Sequence, residues 1–108
     1  MDIEVLKELL QLHSLWLKGD KEGICANLDY DNLDYANLEC ANLKYANLEG
    51  ANLEGVNLDY ANLENAYLKG ANLKYANLKC ANLRSADLRG VMLRGANFSR
   101  ANLIDAVF

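Results

Sequence analysis

A five-residue repeat runs through most of this 108-residue chain and restricts what it can fold into. Residues 26–105 read A-N-L-x-x in sixteen consecutive units without insertion, and residues 106–108 begin another. The third position is Leu in fifteen units and Phe in one. Ala fills the first position in thirteen units, and Asn fills the second position in thirteen units. A period of five matches neither the 3.6-residue turn of an α-helix nor the two-residue alternation of a strand.

This period can be satisfied if each unit forms one side of a coil and turns its first and third residues inward. Four sides close a square of twenty residues, and coils stacked about 4.8 Å apart can pair their backbone N–H and C=O groups. Grouping by twenties gives four coils, 26–45, 46–65, 66–85 and 86–105. The predicted core consists of Leu28, Leu33, Leu38, Leu43, Leu48, Leu53, Leu58, Leu63, Leu68, Leu73, Leu78, Leu83, Leu88, Leu93, Phe98 and Leu103.

The repeat resembles that of the pentapeptide-repeat family, whose motif is a central Leu or Phe with a small residue before it. The resemblance covers residues 26–108 and implies an all-β solenoid, a right-handed quadrilateral β-helix, with Leu28-type residues inside and Ala26-type residues at the corners. A disordered low-complexity segment is the alternative interpretation. Leu at every fifth position makes the chain too apolar for disorder.

A solenoid exposes unpaired backbone and an open core at each end, so it needs caps. Residues 1–25 are predicted to form a capping helix and a connector. Asp2 is a suitable N-cap and Gly19 a suitable stop, so we expect a helix from about residue 3 to 18 over the first coil. We also expect His13 to be a packing residue and Trp16 to lie near the mouth of the core. The predicted cap residues are Leu6, Leu10 and Trp16.

The position after each Leu is predicted to face outward, and its charge changes sign halfway along the repeats. It is mainly acidic in the first two coils and mainly basic afterwards. This polarity could orient a partner or favour antiparallel side-by-side contact, although a merely solvated surface is the alternative. The candidate interaction surface comprises Asp29, Asp34, Glu49, Glu54, Lys69, Lys74, Arg89 and Arg94.

Stacking by twenties also predicts contacts between neighbouring coils. Acidic residues of the second coil should meet basic residues of the third in ion pairs worth about 0.2–1 kcal/mol each. The predicted pairs are Glu49–Lys69, Glu54–Lys74 and Asp59–Lys79. The outward-facing tyrosines should form small contact patches or pack along the stack over Gly50, Gly55 and Gly70.

The C-terminal coil has no capping helix after it in this sequence, and its apolar end is predicted to favour self-association. The resemblance agrees, because members of the family often dimerise through their C-terminal coils. Arginines that would approach their mates in a two-fold dimer oppose it, so a monomer stays open. The candidate dimer end is formed by Ile104, Val107 and Phe108.

The sequence predicts no enzyme, no cofactor and no metal site. It has a single His, no phosphate loop and no metal-ligand spacing, and a Leu-filled interior leaves no room for a small ligand. The net charge of −4 argues against nucleic-acid binding, and residues 3–17 fit neither a signal peptide nor a membrane span. Three cysteines without paired spacing fit a reducing cytoplasm, where we expect the protein.

Two functional hypotheses follow. The first is a structural or protein-interaction module, with the sides of the solenoid as docking surfaces and the protein partner unspecified. The second rests on the resemblance, since some family members imitate B-DNA and inhibit or protect DNA gyrase by binding it. Such mimicry needs a long, continuously acidic face, whereas only the first two coils are acidic here.

Overall fold

The computed structural model contains one α-helix, α1 (Ile3–Leu17), followed by a stack of square coils that extends to the end of the chain. Thirteen parallel bridges join residues twenty positions apart, from Asn27–Asn47 to Asp87–Val107. Each side of a coil pairs through a single bridging residue, so no side forms an extended strand. The predicted twenty-residue coil is therefore present.

Backbone hydrogen bonds connect each coil to the next. On one side, Leu28 N–H donates to Asn47 C=O at 2.7 Å, Tyr30 N–H donates to Glu49 C=O at 2.8 Å, and Asn47 N–H donates to Ala26 C=O at 3.0 Å. The same three-bond pattern recurs on other sides down the stack. These bonds satisfy the buried backbone without regular strands or helices.

Each corner is a β-turn that closes on the following unit. The Leu carbonyl accepts from the backbone N–H three residues later. In the first unit, for example, the Asp31 N–H donates to the Leu28 carbonyl at 3.2 Å. The fifth residue of every unit is the third residue of this turn, and it has the positive φ that a type II turn requires there. Only five of these sixteen residues are glycine. The other eleven, such as Tyr30 at φ 57°, adopt the same left-handed conformation although they carry a side chain.

The repeated Asn organises the side that follows it. Asn52 Oδ1 accepts from the Glu54 N–H at 3.2 Å, which is an Asx-type turn. Its Nδ2 donates to Asn32 Oδ1 at 3.1 Å, and Asn72 Nδ2 donates to Asn52 Oδ1 at 3.2 Å. Asn therefore supports both its own turn and a column of amides along the stack.

The core is a column of leucines enclosed by small residues. Every third-position Leu from Leu28 to Leu88 is at most 2% exposed, and the first-position residues from Ala46 to Ala86 are buried beside them. Leu93, Phe98 and Leu103 were predicted to belong to this core but are only half-buried. They lie in the last coil, and no further coil of this chain packs beneath them.

Helix α1 covers part of the opposite end. Asp2 accepts from the Glu4 N–H at 2.9 Å and caps the helix, Leu6 is buried in the core cluster, and Leu10 packs against that cluster half-buried. The Met1 ammonium donates to the Asn32 carbonyl at 2.9 Å. These contacts fix the helix on the first coil near the range predicted from the sequence. No helix here has the length and apolarity needed to cross a membrane.

His13, rather than Trp16, occupies the mouth of the core. His13 is fully buried, its Nδ1 accepts from the Ala26 N–H at 2.9 Å, and its Nε2 lies 2.8 Å from the Lys44 carbonyl. Trp16 is 38% exposed and stacks on the imidazole with ring centroids 5.6 Å apart, so it lies near the mouth as predicted but does not fill it, and His13 is the buried packing residue that the sequence predicted. Imidazole can satisfy a backbone donor and a backbone acceptor at once, whereas indole offers a single donor.

Candidate interaction surface

The coils present four flat sides to solvent. We call them the first, second, third and fourth sides, beginning at residues 26, 31, 36 and 41 and recurring every twenty residues. The third position of each unit points into the core, and the residues that follow it form the outward corner. The charged side chains that a partner could contact therefore lie mainly on these corners.

Charge is segregated along two of the four sides. On the first and second sides, the residue after Leu is acidic in coils one and two and basic in coils three and four. The third side ends in Ser99, and the fourth side begins with Lys44 and ends with Ile104. The first side carries Asp29, Glu49, Lys69 and Arg89, and the second carries Asp34, Glu54, Lys74 and Arg94.

The predicted ion pairs between coils two and three are not formed, so that prediction was wrong. The two salt bridges in the structure are Glu4–Lys7 at 3.8 Å and Asp87–Arg89 at 2.7 Å. Acidic side chains of the second coil bind fixed donors of the third coil instead. Asp59 Oδ1 accepts from the Lys79 N–H at 2.9 Å, and Glu54 Oε2 accepts from Asn72 Nδ2 at 3.4 Å. Binding such donors avoids ordering a flexible lysine side chain.

Arg89 on the first side is held by its own chain. Its Nε and Nη2 donate to the two carboxylate oxygens of Asp87 at 2.9 and 2.7 Å. This bidentate contact lowers the pKa of the Asp87 carboxyl below its usual value. Asp87 replaces the usual Asn and still accepts from the Arg89 N–H, so it keeps the turn while binding the guanidinium.

Tyrosines fill the space above glycines one coil further on. A Cβ placed on Gly50 or Gly55 would overlap the ring of Tyr30 or Tyr35, which confirms the predicted packing at those two positions. The prediction for Gly70 was wrong, because the residue above it is Gly50 and its surroundings are open.

Gly95 carries the same arrangement, although the sequence reasoning missed it. A Cβ there would overlap the ring of Tyr75, which lies twenty residues earlier in the chain. The sequence signal for this contact is the twenty-residue spacing between a Tyr and a Gly, which Tyr30–Gly50 and Tyr35–Gly55 share. The Arg94 guanidinium lies 5.8 Å from the Tyr75 ring centroid, within cation–π distance.

The two ends of the stack differ in character. At the C-terminal end Ile104, Val107 and Phe108 are 62%, 51% and 62% exposed and surround the half-buried last coil. At the other end, a groove of about 180 Å³ lies between the start of α1 and the first coil. It is lined mainly by Met1, Ile3, Leu6, Leu33 and Ala36, with Asn32, Asp34 and Asn37 on its polar side. The groove is smaller than pockets that usually enclose small ligands.

A family model described as pentapeptide repeats matches this chain in eight copies, over residues 25–59, 36–74, 51–90 and 81–108. No curated protein matches it.

Several solved structures of pentapeptide repeat proteins are similar to it, and proteins of this kind are right-handed β-helices. HetL, involved in heterocyst differentiation regulation in Nostoc sp. strain PCC 7120, is 36% identical over 75% of this chain and 44% of its own, with a TM-score of 0.38. A protein from the Arabidopsis thaliana thylakoid lumen is 30% identical over 75% of this chain and 60% of its own, with a TM-score of 0.46. Rfr23 from Cyanothece 51142 is 40% identical over 75% of this chain and 58% of its own, with a TM-score of 0.42. The chain thus spans 44% to 60% of the length of these three.

Proposed function

Because this chain belongs to the pentapeptide-repeat family, we propose that it is a non-enzymatic module that binds protein partners through its charged sides. Proteins of this family are generally structural or interaction modules. The observation that supports the proposal best is the segregation of charge on the first and second sides. An acidic half and a basic half on one rigid stack create a directional field that can orient an approaching partner.

The backbone supports this role because it holds the charges in place. Each charged residue of these two sides follows a core Leu, which is buried in every unit except for the half-buried Leu93, and lies within a hydrogen-bonded turn, so its Cα position is set by the coil. A partner can therefore bind without ordering the backbone, which lowers the entropic cost of association. The side chains of Lys69 and Lys74 form no salt bridge within the chain and remain free to adapt to the partner.

Affinity capture from extracts of the source organism tests this function. We would compare the wild type with two triple variants, Lys69→Gln/Lys74→Gln/Lys79→Gln and Glu39→Gln/Glu49→Gln/Glu54→Gln. Lys7→Gln/Lys18→Gln/Lys21→Gln serves as the matched control, because it removes three charges from the cap segment alone. We expect proteins that elute at high salt from the wild type and the control to be lost from at least one of the other triples. Identical capture by all four proteins would contradict the proposal.

Gyrase-directed DNA mimicry is the alternative function. The basic coils, with Lys69, Lys74, Lys79 and Arg84 in succession, oppose it, because a DNA mimic needs acidic charge along its whole length. We expect gyrase supercoiling to be unchanged by the purified protein. Inhibition, or protection of gyrase from an inhibitor, would replace the proposed function with mimicry.

An end-to-end homodimer through the C-terminal coil is a second proposed contact. It is supported by the exposure of Ile104, Val107 and Phe108 beside half-buried core residues. Because apolar burial would drive this contact, high salt should not dissociate it, whereas Phe108→Asp should. A salt-resistant dimer that persists in Phe108→Asp would place the contact elsewhere.

A further inference from the structure

We propose that a second copy of this chain docks antiparallel against the second side, formed by residues 31–35, 51–55, 71–75 and 91–95. The inference names a partner for one charged side and so rests on the proposed function. Its basis is that the second side is complementary to itself in both charge and aromatic surface, in one and the same register.

The charges of the second side are arranged symmetrically about its middle. Asp34 and Glu54 lie on coils one and two, and Lys74 and Arg94 lie on coils three and four. The two salt bridges of the chain involve none of these four residues. The sign changes midway along the side, between the second coil and the third.

A two-fold axis that lies in the plane of this side, perpendicular to the stack, reverses the order of the coils. It sets coil one against coil four and coil two against coil three, and each column of residues faces the same column in the partner copy. Asp34 then faces Arg94 of the partner copy, and Glu54 faces Lys74 of the partner copy. The symmetry repeats both contacts, so four opposite-charge contacts form across one isologous interface. A parallel arrangement would set like charges against each other.

The tyrosines lead independently to the same register. Tyr35 extends from coil one over Gly55 of coil two, and Tyr75 extends from coil three over Gly95 of coil four. Their side chains leave large exposed surfaces, with Tyr35 at 69% and Tyr75 at 50%. The two-fold axis that pairs the charges sets residue 35 opposite Gly95 of the partner copy. Because the Tyr35 ring extends toward coil two and the Tyr75 ring toward coil four, the two rings then meet across the interface. Flat aromatic surfaces that meet in this way favour offset stacking.

The other three sides lack this combination. On the first side, the guanidinium of Arg89 is already bound by Asp87. On the third side, the last coil carries Ser99 in place of a basic residue. On the fourth side, Lys44 precedes Glu64 and the order of charges is not symmetric.

The contact should be weak and sensitive to salt. Four coils stacked about 4.8 Å apart make a side only about 20 Å tall, so one side offers less area than a standard stable interface. Its opposite charges are exposed and therefore screened by ions. We expect this side-to-side contact to form reversibly at low salt and to be lost as salt is added, whether or not the end-to-end contact is present.

Charge reversal at the centre of the second side provides a specific test. In the antiparallel dimer, Glu54→Lys sets Lys against Lys74 twice, and Lys74→Glu sets Glu against Glu54 twice. Each variant alone should lose affinity for itself by more than about tenfold. Mixed in equal amounts, the two variants restore opposite charges at every central contact, so the mixture should associate.

Sedimentation velocity at about 0.2 mM protein, in about 25 mM and about 500 mM NaCl, would measure this association. Glu64→Lys and Arg84→Glu make the same charge changes in the same coils but on the fourth side, so both should dimerise like the wild type. Phe108→Asp removes only the end-to-end contact proposed above, so it should keep this salt-sensitive association through the second side. Circular dichroism would establish that every variant is folded.

Three results would overturn the inference. These are a wild type that associates no more strongly at low salt than at high salt, a Glu54→Lys variant that associates as well as Glu64→Lys, and a mixture that associates no better than its components. Each result could occur while the affinity capture still depends on charge. In that case the sides would bind other proteins, and the proposed function would survive the loss of this inference.

Discussion

At the scale of single residues, the fifth position of each unit is the most constrained part of the surface. All sixteen of these residues have a φ between 57° and 73°. A side chain in this left-handed region costs about 1–2 kcal/mol because its Cβ approaches the backbone, and glycine avoids the cost. Five of the seven glycines of the chain occupy this one position, which is the sequence signal of a positive φ.

Two glycine substitutions would separate this backbone strain from crowding. Gly70→Ala adds a Cβ into open space at φ 72°, so it should lower the free energy of unfolding by about 0.5–1 kcal/mol, the strain less the reduced freedom of the unfolded chain. Gly55→Ala should cost more, because its Cβ also displaces the Tyr35 ring. Urea denaturation would measure both. Equal losses would show that the tyrosine moves aside freely.

His13 should make the stability of the protein depend on pH. Burial lowers the pKa of the imidazole below its usual value, and its Nδ1 must stay unprotonated to accept from the Ala26 N–H. A group whose pKa is depressed by folding favours the folded state above its unfolded pKa of about 6.5, and this contribution is lost as pH falls below that value. We expect the Tm to fall between pH 7.5 and 5.5.

His13→Gln is the control for this pH dependence. Glutamine keeps a donor for the Lys44 carbonyl but does not titrate, so its Tm should be lower and should change little between the same pH values. An equally steep decrease in wild type and variant would assign the effect to other groups.

At the scale of elements, the cap depends on a close approach between the connector and α1. A Cβ on Gly23 would overlap backbone atoms of Trp16 and Leu15, and backbone cannot move aside as a side chain can. Gly23→Ala should therefore displace the helix from the first coil at a cost of about 1–3 kcal/mol.

Trp16 is the single tryptophan of the chain, so its fluorescence reports the position of the cap. We expect its emission to shift to the red in Gly23→Ala as it loses contact with His13 and Tyr45. Gly19→Ala serves as the control, because its Cβ meets nothing within 4 Å and adds only φ strain. An unchanged emission in Gly23→Ala would show that the connector can adjust.

The elements could be predicted from the sequence to different extents. The coils follow from the period alone, since the buried Leu of each unit sets the register of all its neighbours. The sequence predicted a packing His13 and a Trp16 near the mouth, but not that His13 fills the mouth, because this depends on which backbone groups the first coil leaves for the imidazole. The ion pairs failed for a related reason, since Asp59 found a rigid N–H closer than the flexible ammonium of Lys79.

At the scale of the whole molecule, stability and the proposed recognition of a partner have separate sources. Stability comes from the leucine column and the bonds between coils, with each buried Leu contributing about 1.5–3 kcal/mol relative to an exposed one. The exposed charges contribute little to folding, and the two sides that segregate them are available for a partner. Surface charge can therefore be changed without changing the stack, which is what the proposed binding experiments require.

The central claim is that the five-residue period builds a square stack with its leucines inside, and one pair of lysine substitutions tests it directly. Leu58→Lys buries a charge without a partner at a position with 0% exposure, which should cost several kcal/mol and unfold the central coils. Glu54→Lys places the same side chain on an outward corner and should change the stability by less than about 0.5 kcal/mol. Thermal melts followed by circular dichroism should show Leu58→Lys unfolded under conditions where Glu54→Lys melts like the wild type. A Leu58→Lys protein with the wild-type spectrum and Tm would contradict the account.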